Sequence, residues 1–189
     1  MSVNESIEGN NLIEGKNLIK FGDFSGEWRE FWDVEEPVLE LKDSDTGKPY
    51  LSMTEGATVT QTFPLEVCPG EDAVYWFSFA YEVVGSKPSH VTLTTGGGRV
   101  VFEEPFYSRK SQEDAGTLDN EVLVDLSLYP PTAIQGLSSS DTEIVLVVTS
   151  ANNGFSGGIN VTDIKIDPRI VPLNPSEIWF DGRSISLAV

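Results

Sequence analysis

Apolar and polar residues alternate along most of the chain, and a period of two marks strands buried on one face. In "VYWFSFAYEV", Tyr75, Phe77, Phe79, Tyr81 and Val83 share one face, while Trp76, Ser78, Ala80 and Glu82 share the other. "EVLVDLSL" repeats the pattern with Val122, Val124, Leu126 and Leu128, and "EIVLVVTS" is apolar on both faces, as a central strand should be. Further strands are predicted at "PVLELK", "YLSMT", "ATVTQTF", "HVTLTT", "RVVFE" and "INVTDIKID". Turn-rich clusters such as "DSDTGKP", "CPGED", "GSKPS", "GGG" and "ANNGFSGG" separate them. No run of ten or more residues carries a helical stripe. Many short strands with this punctuation predict an all-β fold, an antiparallel β-sandwich or jelly roll.

The same pattern divides the chain. Residues 1–16 read as a flexible N-terminal lead, 17–168 as the sandwich domain and 169–189 as a C-terminal extension. "DPRIVPLNPSE" breaks the alternation after Asp167, and "IWFDGRSISLAV" places two short apolar runs about Asp181-Gly182, a type I′ hairpin turn. "NNLIEG" faintly echoes "KNLIKFG", a copy too short for a structural repeat.

Composition narrows the partners. The 189 residues suffice for one substantial core, and no apolar stretch approaches the roughly 18 residues of a membrane span. Twelve Lys+Arg against 30 Asp+Glu give a net charge of -18, which repels nucleic acid and anionic lipid alike. Clustered carboxylates would instead favour calcium, a hard ion that takes oxygen ligands. Cys68 is the only cysteine, so an intrachain disulfide and a thiolate metal cluster are both excluded. The N-terminal "MSVNESIEGNNLIEGK" has neither the basic nor the apolar region of a signal peptide. The expectation is therefore cytosol, export without such a signal, or a piece of a longer protein.

Three stretches carry a family resemblance. "NLIKFGDFSGEWREFW" resembles the first strand of jelly-roll carbohydrate-binding modules of families four and nine, which opens with Asn-Leu, a tight turn, Phe and a following Trp. "YLSMTEGATVTQTFPLEVCPGEDAVYWFSFAYEV" is similar to their middle, with a Gln-containing strand, a Pro-Gly turn and a Tyr-rich strand, and "GGINVTDIKID" resembles their closing strand. The likeness spans residues 17 to 167 in the expected order and extends to galactose-binding-like domains of adhesins, enzymes and phage fibres. It implies a galactose-binding-domain-like jelly roll at an extracellular, cell or virion surface. It also implies a structural calcium between the first and last strands, at positions matching Asp23 and Asp163, with Asp167 as a further ligand.

For the ligand, Trp76 lies on the face opposite the Tyr75 set, so either another segment covers it or a sugar ring stacks on it. Trp28 and Trp32 are four apart; the resemblance makes one of them core and leaves the other for a site at the sandwich edge with Arg99, Tyr107 and Arg109. "GGGRVVFEEPFYSRK" gathers positive side chains in a chain with few, and arginine offers planar donors to hydroxyls and carboxylates.

Catalytic motifs fare worse. "GFSGG" satisfies Gly-x-Ser-x-Gly about Ser156, and His90, Asp119, Asp125 and Asp141 precede it. A nucleophile elbow needs a following helix, whereas "INVTDIKID" is a strand pattern. Asp43 and Asp45 of "DSDTG" lack the glycine spacing and final Glu of an EF-hand loop. The adjacent acids Glu35-Glu36 and Glu103-Glu104 would point to opposite faces of a strand, unlike a glycosidase pair. "NES" at Asn4 and "NVT" at Asn160 fit the glycosylation sequon, and "NPS" at Asn174 does not.

The sequence therefore points to a non-catalytic carbohydrate-binding or adhesion module. The alternative is a structural or protein-interaction sandwich of a larger adhesin, virion fibre or toxin assembly.

Overall fold

Strands form where side chains can alternate between a shared core and solvent. The computed structural model describes residues 17–42, 46–65, 73–108, 126–152, 158–170, 178–180 and 183–185. One five-stranded sheet runs in the order β1 (Asp33–Glu35), β4 (Thr58–Pro64), β9 (Glu143–Thr149), β6 (Ser89–Thr95) and β7 (Val100–Phe106). The other runs β2 (Val38–Lys42), β3 (Pro49–Thr54), β10 (Gly158–Ile170), β5 (Ala73–Val84) and β8 (Ser127–Ala133). All neighbouring strands are antiparallel, and the two sheets make a β-sandwich of jelly-roll type.

The core is the set of inner faces that the alternation marks. Tyr75, Phe77, Phe79, Tyr81 and Val83 of β5 are buried, as are Val59 and Phe63 of β4 and Ile144, Leu146 and Val148 of β9. Strand β9 is central, between β4 and β6, in keeping with its apolar run. Edge-to-face pairs tie the sheets together: the Phe79 and Phe106 rings stand 5.2 Å apart at 79°, and Tyr81 and Phe106 4.8 Å apart at 68°.

Three expectations need correction. First, residues 17–27 contain no strand; they cross the second half of β10 as a loop. β3 pairs with β10 only from Gly158 to Val161, and the loop takes over the open side beyond that point. The Leu18 N–H donates to Ile166 O, the Ile164 N–H donates to Gly22 O, and Asn17 Oδ1 accepts from the N–H groups of Ile19 and Ile166. A side chain at Gly22 is impossible without movement, because a Cβ there would lie 2.0 Å from Ile164 O. Phe21 and Phe24 adopt φ of 52° and 53°, which breaks the alternation a strand requires.

Second, β10 does not stop at Asp167. It runs through Pro168 to Ile170, opposite Ala73, so it crosses the expected boundary at 168. Pro168 is tolerated because β10 has no ladder partner on its β3 side there. Third, β8 carries Pro130 and Pro131 within its range; residues 121–125 of the expected strand lie outside the described residues. In the extension, β11 (Ile178–Phe180) pairs with β12 (Arg183–Ile185), and the Asp181-Gly182 turn lies outside the described residues, as does the 1–16 lead.

Strand β2 is an edge, and its open side is occupied by side chains. The Thr54 N–H donates to Pro37 O, so by register Val38 turns its backbone groups away from β3. Glu36 Oε2 accepts from the Val38 N–H at 2.5 Å, Arg29 Nη2 donates to Val38 O at 3.4 Å, and Arg29 Nη1 closes the set on Glu36 Oε1 at 3.0 Å. The Val38 N–H, and then Arg29, hold the Glu36 carboxyl below its ordinary pKa.

Candidate functional site

The loop 17–25 and the β10 strand beneath it enclose an open cleft of about 450 Å³. Asn17, Phe21, Asp23, Ser25, Asp163 and Lys165 line it. The sequence builds it from two irregularities that meet. On β10 the register with β5 shifts between Thr162 and Lys165, and within that bulge Asp163 has φ of 51°. On the loop, Phe21 has φ of 52° and turns its ring outward, 37% exposed. Left-handed backbone costs a non-glycine residue roughly 1–2 kcal/mol, so the fold holds both residues in place against a penalty.

The support comes from β4. Gln61 is 4% exposed, the buried polar residue of an otherwise apolar inner face. Its Oε1 accepts the Lys20 N–H at 2.9 Å, and its Nε2 donates to Lys20 O at 3.0 Å and Phe31 O at 3.3 Å. The Trp32 indole N–H adds a second donor to Lys20 O at 3.0 Å. Phe21 and Phe31 thus stand on a backbone clamped from below, with ring centroids 5.0 Å apart and planes tilted by 33°. Lys20 Nζ lies 5.1 Å from the Phe31 centroid.

This arrangement corrects the aromatic candidates. Trp28 and Trp32 are both buried, 1% and 4% exposed, and pack on Phe24 at centroid distances of 5.5 and 5.2 Å. Each indole also finds an acceptor, Glu40 for Trp28 and Lys20 O for Trp32, which lets these rings be buried. Neither ring is presented to solvent. The exposed rings of the opening stretch are Phe21 and Phe31. Trp76 is half-buried on the outer face of β5, with the Arg169 guanidinium 4.5 Å from its ring; the cover is a side chain from β10.

The arginine and tyrosine candidates do not gather with the cleft. Arg99 donates to Gly136 O and, at 2.5 Å, to Asp141 Oδ2, so it ties two loops together. The Ser138 N–H, and then Arg99, hold the Asp141 carboxyl below its ordinary pKa. Tyr107 is 60% exposed just past β7, at the far end of that strand from Arg99. Arg109 lies outside the described residues, as do Ser156, Asp119 and Asp125. His90 sits mid-sheet on β6, opposite Thr149 and Pro105, and Asp141 is engaged by Arg99, so the described members of the catalytic set are not together.

Of the three calcium candidates, Asp23 and Asp163 share the cleft. Asp167 lies beyond the bulge, opposite Trp76 on β5. Asp23 accepts hydrogen bonds from the Ser25 N–H and hydroxyl, and Asp163 Oδ2 is 3.7 Å from Lys48 Nζ. Asn17 Oδ1 and Gly22 O are already engaged by backbone N–H groups. Among the described residues no group of three or more potential metal-ligating side chains occurs. The pair fits an ion only with Lys48 moved aside and water completing a shell of about six to eight oxygens.

Several solved carbohydrate-binding modules resemble this chain. The family 61 module TmCBM61, solved with β-1,4-galactotriose, has 13% identity and a TM-score of 0.49, and the match covers 80% of this chain and 97% of that one. The CBM22-1 xylan-binding domain of Paenibacillus barcinonensis Xyn10C has 14% identity and a TM-score of 0.46, over 84% and 96% of the two chains. The enzymatically active domain of bacteriophage CBA120 tailspike protein 4 matches with 10% identity and a TM-score of 0.48, over 82% of this chain and 21% of that one. No protein-family model matches, and no curated protein does.

The sequence missed Phe21, Phe31, Lys165 and the clamp of Gln61 as site residues. A signal for the clamp was present: a lone glutamine at a core position of the alternating "ATVTQTF" must find hydrogen-bond partners inside.

Proposed function

We propose that the protein is a non-catalytic carbohydrate-binding module whose ligand seats on Phe21 in the cleft between the 17–25 loop and β10. The observation that carries this reading is the exposed Phe21 ring, held outward by a left-handed backbone beside Asn17, Asp23, Ser25 and Asp163. An aromatic face takes the apolar face of a sugar ring, and the neighbouring carboxylates, amide and hydroxyl suit its hydroxyl groups. A glycan array on the wild type and Phe21→Ala tests it. Binding by the wild type with loss in Phe21→Ala is expected; binding that survives unchanged refutes this seat.

Calcium is a separable part of the proposal. Asp23 and Asp163 would contribute carboxylate oxygens, and the ion would tie the loop to the bulge. A second reading, a protein-interaction sandwich within a larger adhesin, fibre or toxin assembly, is favoured by Leu39 and Leu41. They share a face of edge strand β2 and are 62% and 41% exposed. An empty glycan array for the wild type would transfer preference to it.

A further inference from the structure

We infer that the cleft selects an acidic sugar, a uronate, over its neutral counterpart; this rests on the carbohydrate-binding reading above. In a chain with 12 Lys+Arg against 30 Asp+Glu, one lysine lines this cleft and two more lie against its neighbours Phe31 and Asp163. Lys165 forms part of its wall directly after the bulge and is exposed. Lys20 Nζ lies over Phe31, and Lys48 Nζ is 3.7 Å from Asp163.

The carboxylates of the cleft already have partners. Asp23 is held by Ser25, and Asp163 faces Lys48. Lys165, in contrast, makes no ion pair among the described residues. A pyranose that stacks on Phe21 presents its ring substituents at the edge of the aromatic face. A uronate carries its carboxylate on C5, at that edge, within the cleft whose wall includes Lys165. The charge of the whole chain works against any anion. A preference for the acidic sugar must therefore come from these local lysines, and Lys165 is the one without an ion pair or ring contact among the described residues.

Isothermal titration with tetragalacturonate and with galactotetraose, in buffer containing a chelator so that no metal ion bridges the carboxylates, tests the inference. We expect the uronate to bind about tenfold or more tightly than the neutral sugar, as a charge-assisted contact should allow. Lys165→Ala should remove most of that preference, and Lys165→Arg should retain it. A Lys20→Gln variant, read alongside, gives the share of the second ammonium. Equal or tighter binding of the neutral sugar, or a uronate preference that survives in the Lys165→Ala, Lys20→Gln double variant, overturns the inference and leaves the carbohydrate-binding reading in place. If neither sugar binds and the wild type is silent on a broad glycan array, the reading beneath it falls as well.

Discussion

Replacing Gln61 by leucine should cost the fold stability and the cleft its ligand. Leucine matches the bulk of the buried side chain but makes none of its three hydrogen bonds, to the Lys20 N–H, Lys20 O and Phe31 O. Lys20 O keeps the Trp32 indole as a donor, so the loss falls on the Lys20 N–H and Phe31 O. A buried backbone group left without its partner costs roughly 1–3 kcal/mol, and the loop is only partly buried, which favours the lower half of that range. The expected destabilisation is about 2–4 kcal/mol, or a fall in Tm of about 4–16 °C for a domain of this size. Urea or thermal melts read it, with glycan binding measured on the same sample. Gln61→Glu sharpens the test. Its carboxylate still accepts from the Lys20 N–H, but an oxygen now faces two carbonyls where the amide nitrogen was. The charged form is disfavoured in the native state, so the introduced carboxyl has a folded pKa above its unfolded value of about 4.3. The deficit should therefore grow as pH rises from 4 to 7. A Gln61→Leu protein within 0.5 kcal/mol of wild type, or a Gln61→Glu deficit independent of pH, would refute the clamp.

Gly158→Ala should destabilise by about 3 kcal/mol or more in a denaturant melt, because a Cβ there would sit 1.8 Å from Met53 O in the neighbouring strand, and backbone cannot yield cheaply. Asp141 has a depressed carboxyl, so its stabilising share is complete above its unfolded pKa and is lost as pH falls through the lower folded value. Asp141→Asn should accordingly be less stable than wild type at neutral pH and converge with it in strong acid, which a pH series of melts checks. For calcium, a chelator should lower the wild-type Tm and Asp163→Ala should abolish the difference, since an ion bound only to the native state must stabilise it. An unchanged wild-type Tm counts against the ion.

The sandwich was legible because its strands obey one rule, burial on alternate residues. The Tyr75 to Val83 set and the central strand about Leu146 follow it. The opening stretch was read as a strand from the family resemblance, but Gly22 and the left-handed Phe21 and Phe24 belong to a loop, and positive φ leaves no mark in a hydrophobic pattern. Burial of the tryptophans was no easier to read. Tryptophan is the obvious stacking residue, so Trp28 and Trp32 drew attention, yet both indoles find acceptors inside and the less conspicuous Phe21 and Phe31 stay outside. The joining of Asp23 to Asp163 came from the family resemblance. Lys165 joined them through the β10 bulge, which no local residue pattern announced.

The Arg29 and Glu36 pair on the edge of β2 has a meaning for how the molecule meets acid. Those side chains occupy the outward hydrogen-bonding positions of Val38 much as a neighbouring strand would. The occupant of the Val38 N–H is a carboxylate, and so is the source of the -18 charge that holds copies apart. Acid removes both, the general charge first and the Glu36 carboxylate later because its pKa is held low. We expect acid to turn the protein first into a dimer, joined β2 to β2 while still folded, with light scattering rising before the melting signal falls and rising earlier in Glu36→Gln.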